Sequence, residues 1–149
     1  MSLITSTREA RDVVVDALKA QVELGELELG YIGKDNERRL PYYPAVVVSA
    51  GSKDKEYHGL HTYNVRLSCI IWVYHAKLGD SHQKRSDDDI ALAEQIEQIL
   101  EDSLIFSDQF ISCYVPSVTP GMFQPAAAKG DLVVGTRLEW VALSQQRFK

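Results

Sequence analysis

The chain has 149 residues, of which 45% are hydrophobic and 25% charged, and this composition is enough for one domain with a buried core. Its formal net charge of −5 argues against a general phosphate-binding surface, because nucleic-acid binders usually carry a basic excess. No apolar run approaches the roughly 18–20 residues that a membrane span needs, and the opening residues lack the apolar core of a signal peptide, so we expect the protein to be made in a cytoplasm.

The first predicted element is a helix from about Thr7 to Val22. Ser6 and Glu9 have the spacing of a capping box, and an apolar stripe follows at intervals of three and four residues. Three glycines come next, between positions 25 and 33. Their spacing fits no phosphate-binding loop, so we predict a short strand with glycine bends.

A polar loop with two prolines follows, and it holds Arg38, Arg39, Tyr42 and Tyr43. Exposed arginines and tyrosines are enriched at binding hot spots, which makes this loop a candidate partner contact. The alternative is a solvated loop whose tyrosines fold onto the core. The apolar segment Ala45–Gly51 is then predicted to be a strand that turns through a charged tip into the next strand.

The longest predicted strand runs from His61 to His75, because apolar side chains occupy every second position throughout it. About fifteen residues at about 3.3 Å each would span about 45–50 Å, more than the roughly 40 Å expected of a domain of this size. The strand must therefore bend, or one end must project. Its second half is apolar on both faces, through Ile70, Trp72 and Tyr74, which favours an end covered by a neighbour such as another copy of the chain.

A polar stretch after this strand is predicted to be an exposed loop. The three aspartates at positions 87–89 could suggest a magnesium site, but they follow Ser86 at the start of a helix predicted over about Asp87–Ser103. Helix capping explains them without a metal, because negative charge is favourable in the first turn.

The segment Phe110–Val118 is predicted to be a strand that Pro116 confines to a sheet edge. Residues 119–131 are predicted to be irregular, because they contain two prolines and two glycines. Their apolar pair, Met122 and Phe123, suits either a docking surface or the closure of one end of the core.

The last strand is predicted over Leu132–Leu143, with Arg137 and Glu139 on its polar side. Arg66 and Arg137 would share the wetter face of the sheet if the two long strands pair. Hairpin-connected strands and two amphipathic helices predict an α+β fold: an antiparallel or mixed β-sheet with two helices packed on one face, in a single domain over residues 1–149.

No catalytic residue, cofactor site or metal site is predicted. The sequence holds no nucleophile elbow and no positioned nucleophile with its base. His58 and His61 lack a third ligand of fixed spacing. Cys69 and Cys113 lie in strand-like segments and are predicted to be reduced thiols. We therefore expect a non-enzymatic protein that assembles.

In its layout the chain resembles the tail-terminator, or tail-completion, proteins of long-tailed bacteriophages. The resemblance lies in the opening helix REARDVVVDALKAQ, the strand AVVVSAG, the long strand YNVRLSCIIWVYH, the helix IALAEQIEQIL and the closing strand TRLEWVAL. It implies a virion structural protein that forms a ring, expected to be hexameric, at the head-proximal end of the tail. Such a ring stops the tail tube polymerising and joins it to the head.

The partners that the resemblance implies are other copies of the chain, the tail tube protein and the head-tail connector protein, with no membrane. Viral DNA would pass through the lumen without specific binding, and an acidic wall suits this because it does not hold phosphate. The candidate subunit or tail contacts are Arg38, Arg39, Tyr42, Tyr43, Ile70, Trp72, Tyr74, Met122 and Phe123.

Two alternatives stay open. One is another phage neck or minor tail protein built on a similar sheet. The other is a small cytoplasmic ligand-binding domain or enzyme, whose site would lie between the sheet and residues 76–89 and would use His75, Asp80 and His82.

Overall fold

The computed structural model describes residues 3–34, 40, 42–59, 61–77, 86–125 and 132–147. In chain order the elements are as follows: α1 (Thr7–Glu23), β1 (Tyr31–Lys34), β2 (Ala45–Tyr57), β3 (Thr62–Lys77), α2 (Asp87–Leu100), α3 (Ser103–Phe106), β4 (Ser112–Phe123) and β5 (Val133–Arg147). The strands form one sheet in the order β1-β2-β3-β5-β4. β1 runs parallel to β2 and every other pairing is antiparallel, so the predicted α+β fold with a mixed sheet is confirmed.

The helices cover one face of the sheet, which we call the helix side. Alternate residues of β3, from Val65 to Val73, point to this side and pack with the apolar stripes of α1 and α2. Trp140 of β5 lies at the centre of the core, with its ring centroid 5.2 Å from that of Phe106 and 5.4 Å from that of Phe110. Its indole N–H donates to the Leu100 carbonyl at 2.9 Å, which fixes the end of α2 to the sheet.

Both long helices begin at serine caps, as the sequence predicts. The Ser6 hydroxyl accepts a hydrogen bond from the Glu9 amide at 3.4 Å. At α2 the exchange is reciprocal, because the Asp89 amide donates to the Ser86 hydroxyl at 3.2 Å and the Ser86 amide donates to the Asp89 carboxylate at 3.0 Å. Asp89 therefore serves as a capping residue of α2.

The β2–β3 hairpin, with the end of β5, extends past the rest of the sheet as a three-stranded arm. β1 pairs with β2 only as far as Val48, and β4 pairs with β5 only as far as Leu143. We call residues 51–57, 62–66 and 143–147 the arm. A bulge in β2 at its base is held by Ser68, whose hydroxyl accepts from the Ser52 amide at 2.8 Å.

The structure corrects three expectations about the strands. β2 continues through the charged segment to Tyr57, where the sequence suggested a turn, because each residue from Lys53 onward has a partner on β3. Thr119–Phe123 belongs to β4 instead of an irregular segment, since an edge strand tolerates Pro116 and Pro120. The projecting end of β3 is its polar first half, and the apolar second half lies inside the sheet.

Candidate assembly surface

The sheet face opposite the helices, which we call the open face, carries the even-numbered residues of β3. Ile70, Trp72 and Tyr74 point to this side, because their odd-numbered neighbours occupy the core on the helix side. The expectation that Arg66 and Arg137 share one sheet face is confirmed, since β3 and β5 are antiparallel neighbours with Trp72 opposite Arg137 and Arg66 opposite Leu143.

A second apolar cluster forms on this face at the end of the sheet away from the arm. Ala45, Tyr74 and Val133 are buried in it. Around them lie the half-buried side chains of Tyr31, Leu40, Tyr43, Val47, Trp72 and Phe123. We call Tyr43, Trp72, Tyr74 and Phe123 the aromatic cluster. It joins residues from the loop before β2, from β3 and from β4, which are distant in sequence.

Trp72 is the centre of the aromatic cluster. Its ring stacks on Tyr74 with centroids 6.5 Å apart and meets the edge of Phe123 at 5.2 Å, with an interplanar angle of 80°. The guanidinium carbon of Arg137 lies 5.6 Å from the Trp72 ring centroid, in the range of a cation–π contact. Trp72 is half-buried, so part of its ring surface stays accessible to a contact from another molecule.

Phe123 reaches Trp72 because glycine lies beneath it. A Cβ on Gly135 would stand 2.8 Å from Phe123 Cδ2 and 2.8 Å from the Val73 carbonyl oxygen. Gly121, opposite Gly135 on β4, leaves room at the outer end of the same ring, where a Cβ would stand 3.3 Å from Phe123 Cζ. The two glycines thus form the floor on which the Phe123 ring lies.

Tyr74 is the buried member of the aromatic cluster and is only 6% exposed. Burial, together with the neighbouring Tyr43 phenol, raises the pKa of Tyr74 to about 12. A neutral phenol in this position supports the cluster from within. Tyr74 is therefore the buried part of the aromatic cluster, and Trp72 is the part that solvent reaches.

The other predicted contact residues are spread more widely. Tyr42 is exposed beside the cluster. Met122 is 54% exposed but pairs with Val134, so it points to the helix side and does not form one surface with Phe123. Ile70 is half-buried on the open face, opposite Glu139. Arg38 and Arg39 lie outside the described residues.

Sequence reasoning missed the residues that bring the aromatic cluster together. Val47 and Val133 contribute from β2 and β5, and Tyr31 contributes from β1. The alternating pattern of AVVVSAG held a signal for Val47, because Ala45 and Val47 share one face of β2. No local signal marks Val133, since the β3 bulge between Tyr74 and Ala76 decides which side it faces.

The alternative site beside residues 76–89 is present in part. The His75 side chain is buried, with Nε2 2.9 Å from the Thr136 hydroxyl and Nδ1 3.7 Å from an Asp89 carboxylate oxygen. Both residues line a cleft of about 900 Å³ between the start of α2 and the loop after α1. Asp80 and His82 lie outside the described residues.

Among the described residues, the other side chains that could bind a metal or act as a nucleophile do not cluster into a site. Within the ranges that the structure describes, no three His, Cys, Asp or Glu side chains lie close enough together to hold a metal ion. Cys69 and Cys113 are separate thiols, as predicted. Burial raises the pKa of the Cys113 thiol, which also donates to the Leu100 carbonyl at 3.3 Å.

No protein-family model matches this chain, and no curated protein is similar to it in sequence. Of the helices that the structure describes, none has both the length and the apolar character needed to cross a membrane.

Proposed function

We propose that this chain is a non-enzymatic structural protein of the phage tail-terminator type. Copies of it assemble into a hexameric ring that ends the tail tube and joins it to the head connector in the virion. The proposal combines the resemblance in element order with the surface on the open face. No bond is made or broken in this function, because capping depends on shape and on contacts between subunits.

The observation that carries the proposal is the half-buried, still accessible Trp72 in an aromatic cluster on the sheet face that the helices leave uncovered. A helix-free face that carries an aromatic cluster with Arg137 beside it has the composition of a subunit contact, since Trp, Tyr and Arg are enriched among the residues that contribute most to binding energy at interfaces. The net charge of −5 suits a ring through which DNA slides without being held.

The experiment is the native mass of the purified protein over a range of concentrations, alone and mixed with isolated tail tubes. We expect a discrete ring-sized species for the wild-type chain. Trp72→Glu places a charge in the aromatic cluster and should leave only monomer. Leu24→Glu is the matched control, because Leu24 is a 70% exposed apolar residue after α1 and does not belong to the aromatic cluster.

Two results would contradict the proposal. One is a wild-type protein that stays monomeric at high concentration and with tail tubes. The other is a Trp72→Glu protein that assembles as well as Leu24→Glu. A ring that forms but does not bind tail tubes would favour the related function of another neck or minor tail protein.

The buried His75 favours a second candidate function, which is binding of a small ligand in the cleft that His75 and Asp89 line. A histidine beside a carboxylate is the arrangement used in general acid–base chemistry. The test is native mass spectrometry of protein purified from its host. A non-covalent adduct of metabolite size on the wild-type chain, lost in Asp89→Asn, would support this function, and an adduct-free spectrum would refute it.

A further inference from the structure

We infer that the helix-side face of the arm docks against the outer face of α2 in a neighbouring copy, so that subunits join head to tail. The inference rests on the proposed self-assembly and specifies which surfaces meet. It concerns two surfaces outside the aromatic cluster, one on β2 and β3 and the other on α2.

The helix-side face of the arm is cationic and aromatic. Lys53 and Lys55 pair with Leu67 and Val65, whose side chains point to the helix side, so the two lysines lie on that face as well. The Lys55 ammonium lies 5.1 Å from the centroid of the Tyr63 ring. Tyr57 meets the same ring with centroids 5.1 Å apart.

The β2 part of this face is exposed in the single chain, whereas Val65 of β3 is buried and Tyr63 is half-buried. Tyr57 is 71% exposed, and all of β2 from Gly51 to Tyr57 is exposed. In the described part of the chain, no carboxylate forms an ion pair with Lys53 or Lys55. The acidic residues of the arm, Asp54 and Glu56, lie on its other face, opposite Arg66 and Asn64.

The outer face of α2 has the opposite charge. Every charged residue from Ser86 to Pro125 is an aspartate or a glutamate. Glu94 is exposed and Glu97, one turn further along α2, is half-buried at the flank of the helix, and neither forms an ion pair among the described residues. The adjacent α3 exposes Leu104, which is 87% exposed.

The charges of α2 are unfavourable within one chain. Its last turn contains no basic residue, and Glu97, Glu101 and Asp102 lie near its C-terminus, where the helix dipole disfavours negative charge. Glu97 also stands at the spacing from Glu94 and Glu101 at which like charges repel. A cationic surface from another molecule would relieve both effects.

The two surfaces therefore complement each other in charge, and each adds an exposed apolar side chain, Tyr57 on the arm and Leu104 beside α2. Because they are different surfaces of one molecule, each copy can offer its arm to one neighbour and its α2 to another. A contact of this heterologous kind closes into a ring when the rotation between subunits allows it.

The test is a reciprocal charge exchange, read by native mass and by the concentration at which half the protein is assembled. The double variants Lys53→Glu with Lys55→Glu, and Glu94→Lys with Glu97→Lys, should each raise that concentration by about tenfold or more, since each sets like charges against each other. The four substitutions together should bring it back to within about threefold of wild type. The side chains of Lys53, Lys55 and Glu94 are exposed and that of Glu97 is half-buried. Far-UV circular dichroism with thermal unfolding checks that each variant monomer is folded.

The outcomes separate this inference from the proposed function. A wild-type chain that never assembles overturns the proposed function and this inference with it. If the wild type assembles and Trp72→Glu does not, but the charge variants assemble normally or the fourfold variant shows no recovery, the head-to-tail contact is wrong and the aromatic surface stands. Loss of binding to double-stranded DNA by the arm variant, without loss of assembly, would also overturn it and assign the lysines to DNA.

Discussion

Replacing Gly135 with alanine tests whether the floor of the aromatic cluster sets the position of Phe123. The new Cβ would stand 2.8 Å from both Phe123 Cδ2 and the Val73 carbonyl oxygen. The carbonyl belongs to the neighbouring strand and cannot move aside, so the Phe123 ring and β5 must shift. Overpacking of this kind costs about 1–3 kcal/mol, and the lower entropy of the unfolded alanine chain offsets about 0.5–1 kcal/mol.

We therefore expect Gly135→Ala to lower the free energy of unfolding by about 1–2 kcal/mol, measured by urea denaturation of dilute monomer. It should also weaken ring formation, because Phe123 leaves the edge of Trp72. Gly121→Ala is the control, since the three atoms nearest to its Cβ all belong to the outer end of the Phe123 ring, at 3.3 Å or more. Equal stability and equal assembly of the two variants would refute the reasoning.

Three further changes test the supports of the two surfaces. Trp140→Phe should lower the free energy of unfolding by about 2–3 kcal/mol, because it removes the hydrogen bond to Leu100 and leaves a small cavity; a loss no larger than that of Trp72→Phe would contradict this. Ser86→Ala should lower the free energy of unfolding by about 1 kcal/mol, because the α2 cap is lost, and the same denaturation experiment measures this. The pKa of Tyr74 is raised to about 12 from 10.0, so the unfolded phenol ionises first and stability should fall between these pH values, by about 1–2 kcal/mol. Tyr74→Phe should flatten this alkaline decline, and an unchanged slope would show that Tyr74 does not cause it.

Local patterns in the sequence were sufficient to predict most of the fold. The alternation along β3 places Val65 on the helix side and Trp72 on the open face because a strand has a period of two. The serine caps mark both helix starts, since the free amides of a first turn need an acceptor and Ser86 supplies one. These features depend on neighbours within a few residues, which the sequence displays directly.

Features that depend on distant pairing could not be predicted in this way. The arm exists because the pairing of β1 and of β4 ends before the tip of the β2–β3 hairpin. The local sequence Lys53–Glu56 does not indicate where the pairing of β1 with β2 ends. The burial of Tyr74 depends on Ala45 and Val133, which reach it from two other strands. The separation of Met122 from Phe123 follows from their assignment to a strand, in which adjacent residues face opposite sides.

The edges of the sheet have a consequence for how this protein aggregates. β1 is only four residues long, β4 contains Pro116 and Pro120, which lack the N–H donor that a further strand would need, and the outer edge of the arm carries four charged residues in a row at Lys53–Glu56. At the described edges these features disfavour strand addition, the route by which exposed sheets grow into fibrils. We therefore expect copies to join through side chains, in a particle that is finite in size and can dissociate.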